Sequence, residues 1–306
     1  MTIKSITVTL VAPMSDHAAN RGEKLLGNAS SIKRRPDGRV YISGQMQRHA
    51  LFSAVERLND DDPKGTYVAN GDGPSTDIRT DLRSDLGGYL DTNKGEYSGR
   101  RTAPLTATPA VARASSDIGR DLLVRLKQNA DAESEQKQAL ATNEFSQRDE
   151  MAMSFHLDVG AVGIRKRYSY AKEQHIETQY DNFITDGEHR RRVDLFLEAT
   201  CSMTDYANQA RQATSGEPQK VLIVLDTKMS RKAARYFAPE TSPEEQANIL
   251  AELAAREAQY FLGDDTRKPD EATGAYSVHM AYKKAADALA AGTLYRPASM
   301  TSNTPA

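Results

Sequence analysis

The chain has 306 residues, with 40 Lys and Arg against 42 Asp and Glu and a formal net charge of -2. So nearly neutral a protein has no global field to draw it onto polyanions, which excludes a wholesale basic nucleic-acid binder and confines any phosphate site to a local patch. Its one cysteine, Cys201, excludes a disulfide framework within the chain, and no apolar run approaches the roughly 18 residues of a membrane span.

The length suits a substantial core, read as one domain carrying insertions. The start MTIKSITVTLVAP lacks the apolar stretch and cleavage site of a signal peptide, so the expected location is cytoplasmic, with no membrane contact. Charge is segregated. Residues 1–50 hold eight Lys/Arg and three Asp/Glu, whereas residues 59–91 hold three Lys/Arg and eight Asp.

SITVTLVA alternates, with Ile6, Val8 and Leu10 opposite Thr7 and Thr9, which predicts a half-buried strand. A glycine-containing basic loop follows. Leu51, Ala54, Val55 and Leu58 share a helical face, so a helix begins near Ser43, its N-cap, and stops in NDDDPKG. Residues 60–115 read as an elaborated loop, with RTAPLTATPAVA in its second half. SDIGRDLLVRLKQNADAESEQKQAL is polar and partly helical in expectation.

Met151, Met153, Phe155 and Leu157 alternate into a strand, RRRVDLFLEATCSM reads as a helix, and KVLIVLD (220–226) as a central strand. The C-terminal part is helical. TSPEEQANILAELAAREAQYFLG opens on a capping box at Ser242 and Glu245 and runs to Gly263, and SVHMAYKKAADALAAG ends at Gly292. The order strand, helix, inserted material, strand, helix, strand predicts an α+β chain with a ferredoxin-like (RRM-type) core.

There is no phosphate-loop or dinucleotide glycine signature, no G-x-S-x-G and no H-E-x-x-H. The six histidines lack metal-ligand spacing, and Cys201 reads as a buried small hydrophobe, so no metal and no cofactor is expected. Asp72, Asp77, Asp81 and Asp85 read as a solvated acidic loop.

The stretch from His17 to Leu51 is different. Gly22, Gly27, Gly38 and Gly44 allow close backbone approach, Asn20, Arg21, Asn28 and Lys33 supply donors, and the helix start at Ser43 offers free N–H groups to a phosphate. On a helical wheel Gln45, Arg48 and Phe52 lie away from the centre of the apolar stripe, where they could meet a nucleic-acid strand. The competing reading is a solvated helix face after a basic loop.

NRGE, GN, IKRR, RVYISGQMQRHAL, TDLRSDLGGYL, RRTAPL and FHLDVGAVG stand in the order seen in CRISPR RAMP-superfamily backbone subunits of type I Cascade complexes, which the chain resembles over about residues 3–230. The resemblance is strongest to the DevR-like branch. It implies a non-catalytic RNA-binding protein, copies of which stack head to tail along a CRISPR guide RNA beside other Cascade subunits and present the guide to target DNA. It implies a modified RRM core with finger and thumb insertions. The finger would be residues 60–115, and the thumb would fall within 116–150, around Asn143 to Arg148.

Carried over from that resemblance, Asn20 and Arg21 fall where the family contacts guide RNA, and Ser43, Gln45 and Arg48 on its helix start. Arg48 stands where a lysine is usual. Asn28 falls at the aspartate with which related type III subunits cut target RNA, and an amide cannot serve as base or ligand. A slipped alignment would leave Asp16 or Asp37 for a metal-assisted ribonuclease, the second reading. A stand-alone RRM-like regulator is the third, and it lacks RNP aromatics. Arg100, Arg101, Arg165, Lys166 and Arg167 are RNA-contact candidates on charge alone, as are Lys24, Arg34 and Arg35.

Overall fold

The computed structural model describes residues 1–20, 22, 30–69, 75–90, 100–126, 138–171, 174–210, 212–270 and 274–297. In chain order the main elements are β1 (Ser5–His17), β2 (Tyr41–Ile42), α1 (Gly44–Asp61), α2 (Leu82–Gly87), β3 (Leu105–Ala107), β4 (Ala110–Ala112), β5 (Ile118–Leu126), β6 (Gln138–Asp158), β7 (Ile164–Ala171), β8 (Gln174–Asn182), α3 (Asp186–Ala199), β9 (Lys220–Asp226), α4 (Pro243–Ala255), β10 (Gln259–Asp264) and α5 (Val278–Ala291).

Antiparallel pairing gives a sheet in the order β10-β9-β1-β6-β4-β2, with β3 and β5 also on β6. Ile6, Val8 and Leu10 pack with Phe155 and with residues of α1, α3 and α5 on one face. Thr7 and Thr9 are 1 % exposed, so β1 is covered on both faces rather than half-buried. The second cover comes from Ala233, Tyr236 and Phe237 and from Ile249 and Leu253 of α4, packed on Val11, Ala152, Leu222 and Val224. Ser5 Oγ ties this cover down by donating to the Lys228 carbonyl at 2.7 Å.

Several expectations need correction. Residues 105–112 are not loop but two short strands of the main sheet, separated by Thr108 and Pro109. The polar stretch from Ile118 is a strand along β6, not a helix. The first C-terminal helix stops at Ala255 because Glu257 takes φ 59°, and Gln259–Asp264 becomes the sheet's edge strand. Asp81 and Asp85 are fully buried, not solvated. Asp81 caps α2, accepting from the Arg83 and Ser84 amides. Among the described residues no helix is long and apolar enough to cross a membrane.

The covered face holds a titratable group. His156 shares a 2.9 Å hydrogen bond with Thr7 Oγ1, and its buried Nε2 has no partner. Burial, with Arg231 nearby, lowers its pKa from 6.5 to about 4. The unfolded chain therefore takes up this proton first as the pH falls. The stability of keeping the ring neutral is whole above about pH 6.5 and is lost towards pH 4, up to about 3 kcal/mol. Urea melts from pH 7 to 4.5 are expected to show this slope, and His156→Gln to flatten it. An unchanged slope in the variant would remove His156 as its source.

Candidate nucleic-acid interface

Ser43 caps α1, its hydroxyl accepting from the Met46 amide at 3.2 Å. Gly44 follows because a Cβ there would lie 2.9 Å from the Ala107 carbonyl oxygen, so the helix start is seated against β3. Gln45 is exposed beside it. Asn20 is 4 % exposed, and its side chain holds the basic loop to this corner. Its amide donates to the Lys33 carbonyl at 3.1 Å and to the Tyr41 carbonyl, and its oxygen accepts from the Lys33 amide at 3.1 Å. Asn20 is therefore a staple rather than a free donor, and what it positions is the exposed Lys33. Arg21, Lys24 and Asn28 lie outside the described residues.

Arg48 lies further along α1. Its Nη2 donates to the Gly87 carbonyl at the end of α2, at 2.6 Å, and its guanidinium sits 5.9 Å from the Phe52 ring centre. Arg83 approaches the same ring at 5.0 Å, and its buried Nε has no partner. Among the described residues neither arginine forms an ion pair. Burial, with the Arg83 charge, holds Arg48 below its ordinary pKa. Two uncompensated guanidiniums beside one ring are suited to an anion. Phe52 is 2 % exposed and belongs to the core, so the expectation that it meets RNA is corrected. The wheel misplaces it because α2 folds across that side of α1.

Arg101 is also corrected. Its side chain is 6 % exposed and fully engaged, pairing with Asp85 and donating to the Ala161 and Ile164 carbonyls. Arg192, fully buried, meets the other Asp85 oxygen at 2.6 Å, and the Gly163 amide donates to the same carboxylate at 2.9 Å. This hub locks α2 and α3 to the foot of a hairpin formed by β7 and β8.

That hairpin is a two-stranded sheet of its own. On one face Lys166 lies 5.3 Å from the Tyr168 ring and 5.7 Å from that of Tyr180, with Arg165 lining the cavity at its base. Ile176, early in β8, is 64 % exposed. The side chains of Arg100 and Arg167 lie outside the described residues. Asn143 to Arg148, expected at a thumb, lies mid-strand instead, paired with β5 and β1. Arg48 reaches Gly87, Tyr89 pairs in strand register with Arg101, and Arg101 reaches the hairpin foot.

Residues 8–230 match the family described as CRISPR-associated negative auto-regulator DevR/Csa2. The chain belongs to the DevR/Csa2 family. Two solved structures share the fold of this DevR/Csa2 chain. A chain of a "CRISPR RNA-guided surveillance complex" superposes with a TM-score of 0.56 at 14% identity, covering 94% of this chain and 99% of that one. One from a "CRISPR RNA-guided surveillance complex, pre-nicking" also gives 0.56, at 13% identity, covering 93% and 99%. No curated protein matches the sequence.

Sequence reasoning missed Arg83, Tyr168 and Tyr180. Arg83 is hidden among aspartates, but Lys166 and Tyr168 alternate with the period of a strand, a signal that was there to be read. Of the acids kept for a nuclease, Asp37 pairs with Arg39 at 2.6 Å, which lowers its pKa, and Asp16 is exposed at the end of β1. Among the described residues no group of three His, Cys, Asp or Glu side chains is placed to hold a metal. Burial pushes the Cys201 thiol up to about 11, away from thiolate chemistry.

Proposed function

We propose that this chain is a guide-RNA-binding backbone subunit of a CRISPR surveillance complex. Copies stack head to tail along the guide in the cytoplasm, beside other Cascade subunits, and present it to target DNA without chemistry of their own. The supporting observation is Arg48 and Arg83, crowded on one ring without carboxylate partners, in a strip that runs on to the hairpin foot. On this reading the phosphates lie along the strip and the hairpin Ile164–Asn182 is the thumb. The strand order β9-β1-β6-β3/β4 with α1 and α3 is the ferredoxin-like core, and inserted material before Leu105 is the finger.

The family description includes auto-regulation, which keeps an RNA-binding regulator as the second reading. The cover over Thr7, Thr9 and His156 closes this face of β1 and β6 to the base stacking that an RRM uses.

A salt series with labelled guide-length RNA, followed by light scattering, tests the proposal. Wild type is expected to grow stepwise into a multi-copy species. The Arg48→Ala, Arg83→Ala pair is expected to bind about tenfold more weakly, with the salt slope reduced by roughly 1.4 for two lost phosphate contacts. A wild-type chain indifferent to RNA at low salt would sink the proposal. Binding by single copies to one RNA sequence would favour the regulator.

A further inference from the structure

At the foot of the hairpin lies a cavity of about 410 Å³, a size suited to one nucleotide. Tyr168, Tyr180 and Tyr295 supply aromatic surface and Arg165 and Lys166 positive charge, yet the cavity also holds a carboxylate, Asp158. A carboxylate in a phosphate-binding cavity repels the ligand's charge unless the ligand also brings it a donor.

Asp158 ends β6, its amide donating to the Pro104 carbonyl at 3.0 Å. It precedes the turn Val159–Ala161, whose Gly160 and Ala161 amides approach the carboxylate without forming a full cap hydrogen bond, which leaves its oxygens room for a further donor. Nor does Arg101 neutralise it, since that guanidinium is engaged by Asp85 and two carbonyls. Gly160 matters here because a Cβ would lie 2.7 Å from the Tyr295 ring, so the ring closes against the turn beside the acid. Burial raises the pKa of Asp158, opposed by the Gly160 and Ala161 amides and by the charges of Arg231 and Arg101. A hydroxyl donated to the carboxylate would relieve that burial cost.

The geometry points to a ribose-reading site, in which Asp158 accepts the 2′-hydroxyl of a nucleotide whose phosphate meets Arg165 and Lys166 and whose ring stacks on tyrosine. This inference rests on the RNA-binding reading above and adds that the chain selects RNA over DNA at this residue. A nucleotide can offer a carboxylate only a ribose hydroxyl or a base nitrogen donor. The 2′-hydroxyl is present at every RNA position whatever the sequence, and it is the group that separates RNA from DNA. Dinucleotide-binding folds use an acidic side chain on a ribose hydroxyl in the same way.

Oligo(U) and oligo(dU) of guide length isolate the hydroxyl, because the uracil edge is the same in both. Wild type is expected to prefer oligo(U), and Asp158→Ala to lower that preference about tenfold by weakening oligo(U) alone, with oligo(dU) binding unchanged or stronger. Thermal melting of the variant keeps loss of fold separate from loss of discrimination. A preference unmoved by Asp158→Ala, or equal losses on both strands, would overturn the site. So would a loss on oligo(C) without one on oligo(U), which would place a base amine on the carboxylate. If oligo(U) responds to the Arg48→Ala, Arg83→Ala pair but not to Asp158→Ala, this inference alone fails. If wild type binds neither strand, the RNA-binding reading fails first.

Discussion

A chain in which Tyr168–Thr178 is replaced by Asn-Gly, linking Arg167 to Gln179 through these two residues, is expected to fold normally and to lose RNA affinity on the order of a hundredfold, from stacking contributions of roughly 1–3 kcal/mol per base. Arg167 and Gln179 are register partners, so a two-residue turn closes the hairpin with its native twist. Among the described residues the strand pairing of the excised part lies within β7 and β8, and Ile176 within it is 64 % exposed. An isoleucine this exposed costs little to remove from the fold. On the RNA-binding reading, it is placed to enter between bases whose phosphates meet Arg48 and Arg83. The measurement is RNA binding and particle size for the trimmed chain beside its urea midpoint. Unchanged binding with an unchanged midpoint would show that the hairpin does not touch RNA.

How far the sequence carries depends on whether the deciding contacts are local. Ser43, Gln45 and the helix behind them were legible because a cap and a 3.6-residue stripe are written in consecutive residues, and the same holds for Ser242 with Glu245. The strand at 220–226 was legible from one apolar run. Arg101 was not, because a count of charges cannot show that Asp85, sixteen residues earlier, already holds it. Phe52 failed for the same reason, its cover arriving from Arg83 and Gly87 across the chain. Leu105–Ala112 was lost to its small side chains and to Pro109, which breaks the stretch into two three-residue strands too short for alternation to show. The aspartates at 81 and 85 looked like a solvated loop because composition alone does not separate a charge in water from a charge inside a hub.

That hub gives the largest expected effect on stability. Asp85→Ala leaves the guanidiniums of Arg101 and Arg192 buried without their shared carboxylate, and breaking such a group costs about 3–5 kcal/mol. Arg192 keeps its bonds to the Ile78 carbonyl and Glu188, both 2.6–2.7 Å, so the helices stay joined in part. Arg101 keeps the backbone carbonyl of residue 85 at 3.0 Å and the carbonyls of Ala161 and Ile164 at the hairpin foot, but loses its carboxylate. RNA affinity should therefore fall together with the urea midpoint, although Asp85 is fully buried. Asp85→Asn is expected to destabilise as well, because its amide turns donors towards two cations. Replacing Asp85 by Leu and Arg192 by Met together should recover only the share of stability lost at Arg192, because Arg101 stays buried without a counter-charge. RNA affinity should not recover with it, because Arg101 would still lack its carboxylate. Recovery of both would show that Asp85 supports the fold and nothing more.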